Sequence, residues 1–98
     1  MNILEYVKAS LRIKTVDVTI DTYLSELIDS AKSDLCRTSD ISSEVFIGED
    51  INPLLKQAIA MYVGFNWTSD MNKASKYKEL YDDLKAKISM SSYFSEDD

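Results

Sequence analysis

The sequence of 98 residues contains no histidine, one cysteine, one proline and two glycines. Without histidine the commonest general base is missing, along with every Ser–His or Cys–His nucleophile pair, so ordinary hydrolytic chemistry has no residues to run on. Cys36 has no second thiol for an intrachain disulfide and no histidine with which to complete a zinc site of the usual kind; a lone thiol suits a reducing compartment. Gly48 and Gly64 stand apart, and neither the dinucleotide fingerprint nor the Walker A pattern occurs, which leaves nucleotide chemistry without a phosphate-cradling loop. No catalytic residue, cofactor or metal is therefore expected. Long apolar runs are missing too: nothing approaches the roughly 18 residues of a membrane span, and Glu5 and Lys8 interrupt the first ten residues, unlike a signal peptide. A cytoplasmic start and no membrane association are the expectations.

Basic charge is scarce as well. Eleven Lys and Arg against seventeen Asp and Glu leave a formal charge of −6, so the long-range field repels phosphate and sequence-specific DNA binding is disfavoured. What the chain does have is 45% hydrophobic and 29% charged residues, the balance of an ordered, helix-rich domain. Its length allows one domain, burying roughly two-thirds of the surface that the unfolded chain exposes.

Helical periodicity organises most of the chain. Ile3, Leu4, Val7 and Leu11 recur on one face and predict a short helix over 2–12. Segment 13–20 scatters β-branched residues among Lys, Thr and Asp and reads as an extended connector, after which Asp21 looks like an N-cap. Behind it Leu24, Leu27, Ile28, Ala31 and Leu35 form an amphipathic stripe to about residue 37. Residues 38–51 lose the period and read as a long loop anchored by the triplet Val45, Phe46 and Ile47. Asn52 followed by Pro53 is a helix start, since Asn caps free N–H groups and proline at the first turn gives up a donor that lacks a partner anyway. The helix to Trp67 is apolar on almost every side and should be the central one. A last stripe of Tyr77, Leu80, Tyr81, Leu84 and Ile88 predicts a helix over 72–89, with Asp83 and Lys87 as an i,i+4 pair. The result is an all-α single bundle of about four helices with a long loop between the second and third. Its domain spans residues 1–91, followed at 92–98 by an acidic tail expected to be flexible.

Each chemical constellation has a plainer explanation beside it. Asp40, Glu44, Glu49 and Asp50 lack the spacing of a calcium loop and read as a solvated loop. Cys36 sits beside the apolar stripe and reads as an unreactive, half-buried thiol rather than a catalytic nucleophile. Tyr62, Phe65 and Trp67 on an apolar helix read as core or subunit interface rather than a ligand-stacking site. A packed monomer explains two segments least. The triplet Val45, Phe46 and Ile47 either folds back or docks on a neighbour, and Tyr93 and Phe94 are candidate anchors for a partner surface. With Trp67 these are the candidate interface residues.

The order of motifs carries more than any one of them. Val7-Lys8-Ala9-Ser10-Leu11-Arg12-Ile13 comes first, then Asp21-x-x-Leu24-x-x-Leu27-Ile28-x-x-Ala31. Asn52-Pro53-x-Leu55-Lys56-x-Ala58-Ile59 follows, leading to Val63 and Trp67. In this order and spacing the first seventy or so residues resemble the small head-tail connector proteins of tailed bacteriophages, also called head completion or adaptor proteins. The chain departs from the family's frequent aromatic, Arg-containing end of the third helix, having Phe65-Asn66-Trp67-Thr68-Ser69-Asp70 there. The resemblance implies a virion structural protein without catalytic activity, assembled in host cytoplasm and located at the head–tail interface. It further implies a homo-oligomeric ring, twelve-fold by that resemblance, beneath the portal protein. Such a ring contacts a tail or stopper protein and leaves a channel through which DNA passes without sequence-specific binding. A negative subunit suits a channel wall that must not hold phosphate. The readings that compete with it are a small helical DNA-binding regulator, for which the lysines of the last helix are too nearly balanced by acids, and a small acidic helical inhibitor or regulator of a host protein.

Overall fold

Four α-helices and one 3-10 turn are built by residues 2–39, 41–47 and 51–90, the residues that the computed structural model describes. The helices are α1 (Ile3–Ser10), α2 (Val18–Ser39), α3 (Pro53–Trp67) and α4 (Met71–Met90), with the 3-10 turn (Ser43–Phe46) between α2 and α3, and no strand occurs among the described residues. The expected all-α bundle is present. The proposed division at residue 91, with Tyr93 and Phe94 beyond it, lies outside the described residues.

Local chemistry sets the helix boundaries. Asn2 caps α1 by accepting from the Glu5 N–H at 2.8 Å. At the other end the Ile13 N–H returns to the Lys8 carbonyl at 2.8 Å and the Arg12 N–H to the Ala9 carbonyl at 3.2 Å, the crossed pair of bonds that closes a helix in a Schellman turn. That turn requires a left-handed residue, and Arg12 supplies it at φ 59°. Helix α2 starts four residues earlier than the sequence predicts. The capping carboxylate is Asp17, whose Oδ1 accepts from the N–H of Thr19 at 2.8 Å and of Ile20 at 3.4 Å. Asp21 lies within the first turn, where it pairs with Lys8 at 2.8 Å. Lys8 also donates to the Thr15 carbonyl at 2.9 Å, so one ammonium group ties the α1–α2 connection to both helices. The start of α3 is as expected: Asn52 Oδ1 accepts from the Leu54 N–H at 2.9 Å and Pro53 is the first helical residue.

Three residues, 68–70, join α3 to α4, and so short a link forces an antiparallel hairpin. The ring centroids of Tyr23 and Trp67 lie 6.0 Å apart, which sets the first turns of α2 beside the last turn of α3. Helices α2 and α4 thus both run against α3. Helix α1 runs along with it, since the Lys56 ammonium stands 5.0 Å over the Tyr6 ring and Leu11 lies beside Gly64. Packed against all three others, α3 is the central helix, with Leu55, Ala58, Ile59, Ala60, Val63 and Gly64 buried. Around it Val7, Leu24, Ile28, Ala31, Leu35, Tyr81 and Ile88 complete one core in a body of 42 × 30 × 18 Å.

Gly64 permits the closest approach. A Cβ there would stand 3.0 Å from Cγ and Cδ2 of Tyr77 and 3.1 Å from Cδ2 of Leu11, so α4 and the end of α1 rest where a side chain would otherwise project. The predicted stripe of α4 needs one correction. Tyr81 and Ile88 are buried and Tyr77 and Leu84 half-buried, but Leu80 is 42% exposed, because it stands about 100° around the helix from Tyr81 and falls on the rim of the packed face. Leu27 and Tyr62, expected in the core, pack at its edge as half-buried residues.

Candidate assembly surfaces

The exposed large apolar side chains cluster at the two ends of the bundle. At the end where α2 and α4 begin, Val16 is 94% exposed, Val18 83% and Met71 85%, with Tyr23 nearby. At the end where they finish, Ile47 is 76% exposed and Met90 85%. Between them Leu80 alone, among the described residues, breaks the polar flanks of the rod. Helices of 22 and 20 residues hold these ends roughly 30 Å apart. Exposed apolar side chains gathered at both ends make these the candidate surfaces for protein–protein contact.

The loop triplet is split by its geometry. Ser42 Oγ accepts from the Glu44 N–H at 3.2 Å and starts the 3-10 turn, which drives Phe46 inward to 8% exposure and leaves Val45 half-buried against the core. Ile47 follows in extended conformation and faces outward, so of the three it is the side chain left exposed to solvent. Ile41 and Ile51 are buried at either side of the turn, so this segment is pinned to the core. Of the acidic loop residues weighed as cation ligands, Glu44 alone falls among the described residues, and no three-residue metal-binding group occurs among them.

Trp67 lies at the opposite end. It is half-buried, and with Leu11, Gly64, Thr68, Ser69, Lys73 and Tyr77 it lines a surface depression of about 380 Å³. A second depression of about 370 Å³ runs along the outer side of α4 between Phe65, Met71, Ala74 and Lys78, with Glu79 and Asp82 in its wall. Neither was visible in the sequence, since each takes residues from the hairpin of α3 and α4, and the first from α1 as well.

The body between the ends is braced by a charged cluster. The Tyr81 hydroxyl donates to Asp34 Oδ2, Arg37 approaches Asp34 Oδ1 at 2.9 Å, and Lys85 lies 3.6 Å from Oδ2 while standing 4.9 Å over the Tyr81 ring. Burial of the phenol, and then its bond to the Asp34 carboxylate, push the Tyr81 ionisation far above its ordinary range. Tyr62, Phe65 and Tyr81 meet edge to face or tilted at 5.1–5.9 Å between centroids, which places Tyr62 and Phe65 in internal packing. On α4, Asp83 and Lys87 pair at 3.3 Å as expected, and Lys78 and Asp82 add a pair at 3.2 Å. No described helix is long and apolar enough to cross a membrane.

The family model described as Phage connector protein matches residues 3–93. No curated protein and no solved structure matched the chain.

Proposed function

Since the chain belongs to the phage connector protein family, we propose that it is a structural, non-catalytic subunit of the joint between a DNA-filled head and a tail. In this reading copies of the chain form a ring beneath the portal protein, and a tail or stopper protein binds the opposite side. The observation that carries it is the distribution of exposed apolar side chains: Val16, Val18 and Met71 at one end of the bundle, Ile47 and Met90 at the other. An adaptor must hold two different partners at once, and a rigid rod with an adhesive patch at each end meets that requirement. The braced middle keeps those patches at a fixed separation. A charge of −6 fits a wall past which DNA slides without being retained.

The test mixes the purified chain with filled, tail-less heads of the virus that encodes it and then adds free tails. Co-sedimentation with heads, followed by tailed particles in negative-stain electron micrographs, is the expected result. A chain that binds neither heads nor tails, and instead stays a monomer bound to a host enzyme, contradicts the reading and favours the inhibitor.

A further inference from the structure

The depression around Trp67 is a surface with an unassigned occupant. The rings of Trp67 and Tyr77 line it with Leu11 and Gly64, and Thr68, Ser69 and Lys73 give it a largely polar surface. No acidic side chain among the described residues lines it; the nearest in sequence, Asp70, is engaged in capping α4 through the N–H groups of Asn72 and Lys73. Arg12 and Lys14 follow Leu11 in sequence, and among the described residues neither they nor Lys73 takes part in an ion pair. At about 380 Å³ it is as large as the smaller clefts that hold ligands, roughly 300–1,000 Å³. An aromatic side chain followed by acids is the chemistry that fits: rings against Trp67 and Tyr77, carboxylates against Lys73.

The chain itself contains one such sequence beyond α4, Tyr93-Phe94-Ser95-Glu96-Asp97-Asp98. We infer that this segment of one copy docks in the Trp67 depression of a second copy. Length argues against docking within one copy. Helix α4 rises about 1.5 Å per residue, so Tyr77 stands about 20 Å and Lys73 about 26 Å below Met90. Tyr93 and Phe94 follow Met90 by three and four residues, which is about 14 Å of fully extended chain at most. Even with the length of the ring added, and before the chain doubles back along α4, they reach no further than the edge of the depression at Tyr77 and fall short of Lys73. Charge excludes the other depression, where Glu79 and Asp82 repel an acidic segment and Lys78 is already held by Asp82.

A contact of this kind joins unlike surfaces on neighbouring copies, the heterologous arrangement that closes into a ring when the rotation allows. It deepens the ring reading above and rests on that reading only for closure. It also gives the acids at residues 96–98 a role in choosing the partner surface, since oppositely charged rims set register and exclude wrong partners.

The experiment measures self-association of the full chain by sedimentation at near-physiological salt, with circular dichroism melting as the control for folding. Phe94→Ser is expected to weaken association at least about tenfold and Lys73→Glu by about three- to tenfold, with melting unchanged. Adding Asp97→Lys to Lys73→Glu recovers most of the loss, a rescue that general damage would not give. A photo-crosslinking residue in place of Phe94, in a mixture of light and heavy-isotope copies, should join light to heavy chains at Trp67, Tyr77 or Lys73. A monomer at every concentration up to about millimolar, association untouched by Phe94→Ser, or crosslinks confined to single copies would overturn the inference. Head–tail joining is scored separately: a chain that self-associates through Phe94 yet joins nothing counts for this surface and against the connector role.

Discussion

The Tyr81 hydroxyl donates to the Asp34 carboxylate across 47 positions of sequence and fastens the middle of α4 to the latter half of α2. Arg37 and Lys85 flank the same carboxylate, so the charge is shared rather than left facing the core. Tyr81→Phe keeps the ring and removes the donor, and should cost about 1.5 kcal/mol at neutral pH, as expected for a hydrogen bond to a charged group. The pH dependence has a definite sign. The folded state holds the phenolic proton above the ordinary value of 10.0, so the contribution is complete below about pH 10 and is lost as pH rises beyond it. Denaturant unfolding of both chains from pH 7 to 11 should show the gap between them narrowing above pH 10, by up to about 1.4 kcal/mol per pH unit. A constant gap would mean that the Tyr81 proton is not linked to folding.

Gly64→Ala sets a gain in helix propensity against a collision. Alanine is worth up to about 1 kcal/mol in a helix interior, while overpacking costs about 1–3 kcal/mol. The atoms in the way include Cγ of Tyr77, the root of the ring on the facing helix, which cannot swing aside as a flexible chain end would. The collision should win, with a net loss of about 1 kcal/mol in thermal or urea unfolding. Tyr77→Leu in the Gly64→Ala background should recover part of it, a coupling readable by a double-mutant cycle.

Asp17 takes the capping role that sequence spacing suggests for Asp21, which pairs with Lys8 instead. Asp17→Ala removes the cap of α2 and should cost about 1 kcal/mol, with faster amide exchange at Thr19 and Ile20. Asp21→Ala removes the Lys8 pair instead, should cost about 0.5 kcal/mol, and should leave exchange at those two amides unchanged. Equal exchange behaviour in the two variants would assign the cap wrongly.

Phe46 and Ile47 are neighbours with opposite environments. Phe46→Ser opens a cavity and exposes a hydroxyl to the core, and should destabilise by about 3 kcal/mol or more, lowering the melting temperature sharply. Ile47→Ser changes an exposed side chain and should stay within about 0.5 kcal/mol of the parent. Equal melting of the two would contradict the inward turn of Phe46.

How far these features were legible in sequence depends on whether the signal was local. Asn52-Pro53 is a cap and a first-turn proline in adjacent positions, and α3 starts there. The all-round apolarity of α3 announced a helix covered on every side, which α1, α2 and α4 together provide. The start of α2 was obscured because Val18 and Ile20 are β-branched residues of low helix propensity, and the Asp17 cap and the Lys8 strap override that propensity. Leu80 was misplaced because an apolar residue one step from a buried stripe looks the same as a member of it until the neighbouring helix is positioned. The triplet at 45–47 has no period, so nothing in its sequence distinguished Phe46 pointing in from Ile47 pointing out; the 3-10 turn decides that. Trp67 was singled out by chemistry, but the depression that it lines is assembled from α1, α3 and α4 and is a tertiary feature.

The claim that the two ends of the rod serve two partners is tested most directly by disabling one end at a time. Val16→Asp with Val18→Asp alters one end and Ile47→Asp with Met90→Asp the other, all at positions at least 76% exposed, so folding and melting should be preserved. Binding to filled heads and to free tails is then measured separately for each pair. The account predicts that each pair loses one partner, that the lost partners differ, and that neither variant yields tailed particles. Both pairs retaining both partners, or both losing the same one, would contradict it.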